Sequence, residues 1–254
     1  MAVEISLRLV RKGVLAAETY SAFQGWDIAS PVDENLERFI RGRFKTLGWA
    51  REVHATLHRR FRDLQSAIPL IILAKRGLPF EEWQNCLLIW MGIREQPFRD
   101  FVTEWLYSQF EQGTYRLRVG DVRPFLKSFW DKTHDGSASL SDYGEVRTAR
   151  DLLRMSRDFG LLTGDGPDKS FASFHLSDRC FLFWAHTIAE QESGTARVPE
   201  SLLWRLGLMR PSEVGHELLR LHQFRKLEYD VAGSLVQLTL PCGSSREYAE
   251  RMLA

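Results

Sequence analysis

Four arginines, Arg147, Arg150, Arg154 and Arg157, recur at intervals of three and four residues, the spacing that lines side chains along one face of a helix. Such a row suits phosphate recognition, because each guanidinium is planar, permanently charged and able to donate two hydrogen bonds at once. Ser141 is a good N-cap and Gly160 the expected stop. At 100° per residue Ala149, Leu152, Leu153 and Phe159 gather away from the arginines. One amphipathic helix of about three to four turns is predicted between the two caps. Asp151 and Asp158 each follow an arginine by four residues. A solvated, self-paired face worth roughly a few tenths of a kcal/mol per pair would therefore explain the same row without a ligand.

The neighbours of this helix decide how it is held. After it, Leu161 to Thr163 and Phe171 to His175 read as two short strands around Gly164-Asp165-Gly166-Pro167-Asp168-Lys169. Before it, Asp121 caps VRPFLKSFWDKT, with Pro124 in the first turn and Phe125, Leu126 and Phe129 placed to pack under the arginine helix. Thr114 to Val119 alternates, as a short strand or the entry to the unit, and Thr133 to Ser139 is a polar loop. Helix, helix, strand, turn, strand is the order of a winged helix-turn-helix, predicted over 116–176. In that fold the helix enters or overlies the major groove of duplex DNA. Arg147 and Thr148 then meet base edges or flanking phosphates, Arg150, Arg154 and Arg157 neutralise phosphates, and Lys169 on the wing reaches the backbone or minor groove. Four neutralised phosphates would contribute about 3 to 4 units to the slope of log affinity against log salt.

Upstream, residues 4 to 24 show a helical period, Asp33 caps ENLERFIRGRF, and Trp49 to Leu64 forms a third helix. Ser66 to Lys75 is short and apolar enough to be buried, Pro79 opens FEEWQNCLLIWMG, and Gln96 to Gln112 is dense in aromatics. Nothing here reads as a strand, so 1–115 is predicted to be a helical bundle. Arg51 and Arg62 fall within about 40° of His58 on the third helix. They offer a second nucleic-acid contact, although a solvated surface explains each alone. Downstream, Ser177 caps a helix bearing Phe181, Phe183, Trp184 and Ile188; Pro199 to Leu206 is short; and Ser212 caps EVGHELLRLHQF. A hairpin from Leu227 to Leu240 turns at Ala232-Gly233. The order of parts recurs, giving a second winged-helix-like segment over 177–254. The exposed residues of its third helix, Glu213, His216, Glu217, Arg220 and Gln223, are mixed in sign, which makes it a poorer phosphate binder and favours packing or protein contact.

The composition, 44% hydrophobic and 26% charged in 254 residues, is that of a soluble globular protein. A net charge of +1 supplies no global attraction to nucleic acid, so any such binding must come from charge gathered on one face. The longest apolar runs, Ile68 to Ala74 and Cys86 to Gly92, are about a third of a membrane span, and the N-terminus lacks a secretory pattern. Cys86, Cys180 and Cys242 are odd in number and widely spaced, which argues against a disulfide framework and against zinc, and for a cytoplasmic setting. His54 and His58 have metal-ligand spacing, but the glutamate of a zinc hydrolase and a third ligand are missing. There is no glycine-rich phosphate loop and no Gly-x-Ser-x-Gly elbow, and a helix N-terminus accounts for Glu81 and Glu82. No enzyme activity, metal, cofactor, small-molecule substrate or membrane partner is expected.

The segments SLRLVRKGVLAAETYSAFQGWD, NLERF, REVHATLHRRFRDL, FRDFVTEWLYSQF, LRVGDVRPFLKSFW and ARDLLRMSRDFGLL, in that order, resemble the BrxA family of bacteriophage exclusion (BREX) defence systems. The resemblance spans about residues 1 to 165. It implies a helical bundle like that of the antitermination factor NusB, joined to a winged helix-turn-helix, and non-enzymatic binding of double-stranded DNA. Carried onto ARDLLRMSRDFGLL, it makes Arg150, Arg154 and Arg157 the DNA-facing side chains. The expectation is thus a mainly α chain: an N-terminal helical bundle followed by winged-helix units with small β-hairpin wings. It contacts duplex DNA with weak sequence preference, in the company of other proteins of the defence system. Two rival expectations are a structural adaptor using the winged-helix units for protein contacts, and RNA binding by the bundle, the latter on fold analogy alone.

Overall fold

The computed structural model describes residues 4–134, 140–233 and 235–252. Most of the loop expected over 133–139, and Ser234 beside the expected hairpin turn, lie outside them. A two-residue strand, β1 (Glu4–Ile5), leads into α1 (Leu7–Lys12), α2 (Ala16–Gln24), α3 (Val32–Ile40) and α4 (Leu47–Arg60). A 3-10 turn, Leu64–Ala67, precedes α5 (Ile68–Lys75), followed by α6 (Phe80–Arg94) and β2 (Glu95–Gln96). A π-helical segment, Phe101–Leu106, joins α7 (Phe98–Asp100) to α8 (Tyr107–Glu111). Next come α9 (Val119–His134), α10 (Asp142–Asp158), β3 (Leu162–Thr163) and β4 (Ser170–Phe171). The remainder holds α11 (Asp178–Gln191), 3-10 turns at Val198–Glu200 and Leu202–Gly207, α12 (Pro211–Gln223), β5 (Glu228–Ala232), β6 (Leu235–Thr239) and α13 (Ser245–Arg251). The chain is mainly α-helical, with small strand pairs, and no described helix is long and apolar enough to cross a membrane.

Two compact units divide the chain, and neither is one stretch of sequence. The first gathers residues 1–14, 91–175 and 202–210; the second gathers 15–90, 176–201 and 211–254. The expected segment 116–176 falls almost wholly in the first unit, whereas 1–115 and 177–254 are each shared between the two.

In the first unit, the single helix expected from residue 4 onward is replaced by a strand and a short helix. Gly13 takes a φ of +74° and its N–H closes on the Leu9 and Val10 carbonyls, ending α1. Before α1, β1 pairs in parallel with β2, matching Glu4 to Glu95 and Ile5 to Gln96, in sequence that carries no alternating signal. The core joins Val122, Leu126 and Phe129 of α9 to Ala149, Leu152, Leu153 and Met155 of α10, all buried. Phe159 meets Phe98 at 5.7 Å, and Phe125 meets Phe101 edge-on at 5.8 Å.

The second unit is built round α5, whose Ile68, Leu70, Ile71, Leu73 and Ala74 are all buried, as an all-round apolar helix requires. Trp83 is buried and its indole N–H donates to the Leu70 carbonyl at 2.9 Å; Phe23 meets Trp26, Phe61 and Trp83 edge-on. Cys86 and Cys180, distant in sequence, are both buried free thiols here, and desolvation pushes the Cys86 thiol well up. Capped by Ser244, α13 stacks Tyr248 on the His186 ring at 4.7 Å. The His186 ring is buried, its Nδ1 lies 2.7 Å from the Leu182 carbonyl, and its Nε2 accepts from the Cys242 N–H at 3.3 Å. These partners fix the neutral Nδ1–H tautomer.

Two outcomes follow. Leu126→Ala is expected to lower the unfolding free energy by about 2–5 kcal/mol, whereas Leu47→Ala, at a 78% exposed position, stays within about 0.5 kcal/mol of the parent. Denaturant midpoints of the two variants check this. Burial holds His186 below its ordinary 6.5. Its contribution to stability is therefore present above pH 6.5 and lost as pH falls through the depressed native value. Between about pH 8 and pH 5 the thermal midpoint of the parent should fall more steeply than that of His186→Gln. Equal slopes would show that the imidazole takes no part.

Candidate nucleic-acid interface

Ser141, with extended backbone, accepts from the Gly144 N–H at 3.2 Å and starts α10; Gly160, at φ +78°, donates to the Arg157 carbonyl just past its end. The 17 residues make nearly five turns, the length that the caps at Ser141 and Gly160 enclose and more than the three to four turns expected. Asp142 and Glu145 suit the positive end of the helix. They are also claimed from below: Arg123 of α9 spans both, with Nε 3.0 Å and Nη2 2.9 Å from Glu145 Oε2. These carboxylates hold the Arg123 proton more firmly than an isolated guanidinium would, Glu145 being the larger influence.

The four arginines of α10 do not form one free row. Arg147 and Arg150 are exposed and make no hydrogen bond or salt bridge among the described residues. Arg154 is half-buried: its Nη2 lies 3.1 Å from Asp151 Oδ1 and donates to the Arg11 carbonyl at the end of α1, also at 3.1 Å. Arg157 reaches Asp158 at 2.9 Å and Asp165 in the hairpin at 3.5 Å. The acids thus do pair with arginines, but at i,i+3 and with adjacent or distant partners, where i,i+4 pairs were expected. Asp151 lies on the buried side of the helix; desolvation raises its pKa, against the fields of Arg154, Arg147, Arg11 and Arg150. Thr148 is a correction. It is 1% exposed, with its hydroxyl turned into the protein, because it shares a face with Ala149 and Leu152, and as it lies it cannot meet a base edge.

The hairpin after α10 pairs Leu162 with Phe171 and Thr163 with Ser170. Gly164, at φ +106°, makes its turn; a Cβ there would stand 2.9 Å from the Asp168 carbonyl. Leu117 adds a third rung, exchanging two backbone hydrogen bonds with Lys169 at 2.8 and 2.9 Å. This resolves the alternating TYRLRV stretch as an edge residue of the sheet. It also brings in two cations that were not singled out from the sequence, Arg116 and Arg118, which share Asp168 at 3.4 and 2.9 Å. Their i,i+2 spacing round a buried leucine was the available signal. Lys169 is a second correction: it is 8% exposed and its ammonium bends back onto the Gly166 carbonyl, so it braces the turn.

Arg51 and Arg62 are exposed in the second unit, and the other candidates are in the first. α4 ends at Arg60, with Phe61 buried beyond it, so Arg62 is not on the helix and its predicted alignment with Arg51 and His58 does not hold. Beside the His54 and His58 pair stands Asp33 of α3, its Oδ1 3.3 Å from His58 Nε2 and 4.0 Å from His54 Nε2. Among the described residues, no three His, Cys, Asp or Glu side chains are arranged to hold a metal ion. The contact is an α3–α4 charge pair when the imidazoles are protonated. On α12, Arg220 is occupied by Asp178 and Glu217, which raise its pKa, Asp178 foremost.

No curated protein and no solved structure matches the chain. The sequence model of one family, BrxA, matches residues 6–186, more than two-thirds of its length. That span contains α9, α10, the hairpin and every cation described in the first unit except Arg205 and Arg210. On this match the chain belongs to the BrxA family, whose place is in bacteriophage exclusion (BREX) defence.

Proposed function

We propose that this chain is a non-enzymatic DNA-binding accessory protein of a phage-defence system. It acts in the cytoplasm and uses the segment 116–176 as a winged helix-turn-helix on duplex DNA. The observation that carries the reading is the exposure of Arg147 and Arg150 on the first half of α10, unpaired, while the opposite face is packed on α9. That half of a recognition helix is the part that meets base edges and flanking phosphates. With Thr148 turned inward, the contacts are chiefly to phosphate, so sequence preference is weak. Arg116 and Arg118, both exposed although they share Asp168, stand beside the hairpin, where a wing meets the backbone.

A second reading is a protein adaptor, and α12 supports it. Its arginine is neutralised by two acids, while Leu219 and Phe224 stand exposed at 44% and 64%. Such a surface is poor for phosphate and good for an apolar partner. Capture of the defence system's larger subunits that persists after nuclease treatment, with no duplex binding by the purified chain, would favour it.

The discriminating measurement is duplex affinity by fluorescence anisotropy over a salt series, on sequences of unrelated composition. With Arg154 and Arg157 already engaged, Arg147 and Arg150 should account for about 2 units of the log–log slope, not the 3 to 4 of a free row. The double variant Arg147→Ala/Arg150→Ala should lose that amount on every sequence. An unchanged slope in a folded double variant would overturn the assignment.

A further inference from the structure

α1 lies against α10, and its position is fixed at both ends. At its start β1 pairs with β2, the Ser6 N–H donates to the Gln96 carbonyl at 3.0 Å, and the Ser6 hydroxyl caps the Leu9 N–H. At its end Gly13 occupies the Leu9 and Val10 carbonyls, which leaves the Arg11 carbonyl to receive Arg154. A cation at that end also suits the helix dipole. The guanidinium passes close to Gly13, where a Cβ would lie at an ordinary contact distance of 3.4 Å from Nη2, so it is the φ of +74° that calls for glycine. Leu9 and Val10 are buried in the first unit, and Arg8 and Arg11, at i,i+3, are exposed.

Arg154 therefore joins two things at once: Asp151, one turn from Arg147 and next to Arg150, and the backbone of Arg11. Arg154 is the guanidinium in contact with the buried Asp151 carboxylate, and Arg147 and Arg150 flank that acid on α10. Arg11 is brought to the same place through the bond from Arg154 to its carbonyl, so cations from two helices remote in sequence outnumber the acid between them. A polyanion is the ligand such a surface fits. Resting on the duplex-binding reading, we infer that the DNA-facing surface is composite: α1 supplies Arg11 as a phosphate contact beside Arg147 and Arg150, with Arg154 the positioning residue that holds α1 in place.

Four full-length variants test this on one 20-base-pair duplex over a salt series: Arg11→Ala, Arg147→Ala/Arg150→Ala, Arg154→Ala and Arg154→Lys. Arg11→Ala should lower the log–log slope by about 0.9, one phosphate, with its thermal midpoint unchanged because the side chain is exposed. Arg154→Ala should lower the slope by at least as much and speed hydrogen exchange of the α1 amides, which Arg11→Ala should not do. Arg154→Lys, which can still reach the carbonyl, should restore much of that protection. If Arg11→Ala leaves the slope unchanged while the Arg147/Arg150 double variant weakens binding, the composite surface is wrong and the duplex reading stands. If neither alters the slope, the duplex reading itself fails. If α1 exchange is unaffected in Arg154→Ala, the positioning role is wrong.

Discussion

α10 has to lie between α9 and α1 with two carboxylates, Glu145 and Asp151, on its buried side, and everything proposed for this chain depends on how those acids are satisfied. Arg123 answers the first from α9, and Arg154 answers the second while reaching across to α1. Neither pair holds the fold by its own energy. Partly exposed ion pairs contribute about 0–1 kcal/mol, whereas each large buried apolar side chain contributes about 1.5–3 kcal/mol. Leu126, Leu152, Leu153 and Met155 thus account for the stability and for the rotation of α10 about its axis, and the ion pairs satisfy the two carboxylates which that rotation buries. That rotation puts Thr148 inside and Arg147 and Arg150 outside.

The legible part of this arrangement was whatever depends on local chemistry. Ser141 and Gly160 marked the ends of α10 because capping is decided within a few residues, and the apolar run of α5 could only be an interior helix. The illegible part depends on partners brought from elsewhere. Nothing in the period of residues 4–24 reveals that Gly13 is a helix end, since a lone glycine in a helical pattern is often tolerated. Once it is an end, α1 and α2 belong to different units. Likewise Thr148 and Lys169 have residue types suited to DNA contact. Burial, set by the packing angle of α10 and the curl of the hairpin, withdraws both. Arg116 and Arg118 went unmarked for the opposite reason: the alternation of TYRLRV is visible in the sequence, but the bridge from Leu117 to Lys169 that sets the two arginines beside the hairpin is a long-range contact.

The second unit shows how little the order of elements says about chemistry. It too contains a helix followed by an antiparallel hairpin, α12 and β5–β6, with a longer five-residue register. Its arginine is closed in by Asp178 and Glu217, and Asp178 also takes Lys226 at 2.6 Å, so the surface is nearly self-neutralised. A helix–hairpin arrangement offers a cationic face only when the acids are placed underneath it. In α10 the buried Asp151 faces inward; round α12 the acids share the surface with the cations.

Location matters more than quantity because the chain as a whole carries a formal charge of only +1. Arg147 and Arg154 are seven residues apart, roughly 10 Å along the helix, which is close to the screening length of about 8 Å at physiological salt. The patch consequently has little reach beyond contact and cannot steer a duplex from afar. At contact each guanidinium is close enough to release its own counterion, and the neighbouring charges act nearly one by one. On the reading proposed above, a surface of this size would give modest, salt-sensitive and largely sequence-blind attachment. Under the same reading, recognition of a particular site would need a further contact, because two or three arginines directed at phosphates carry no information about bases.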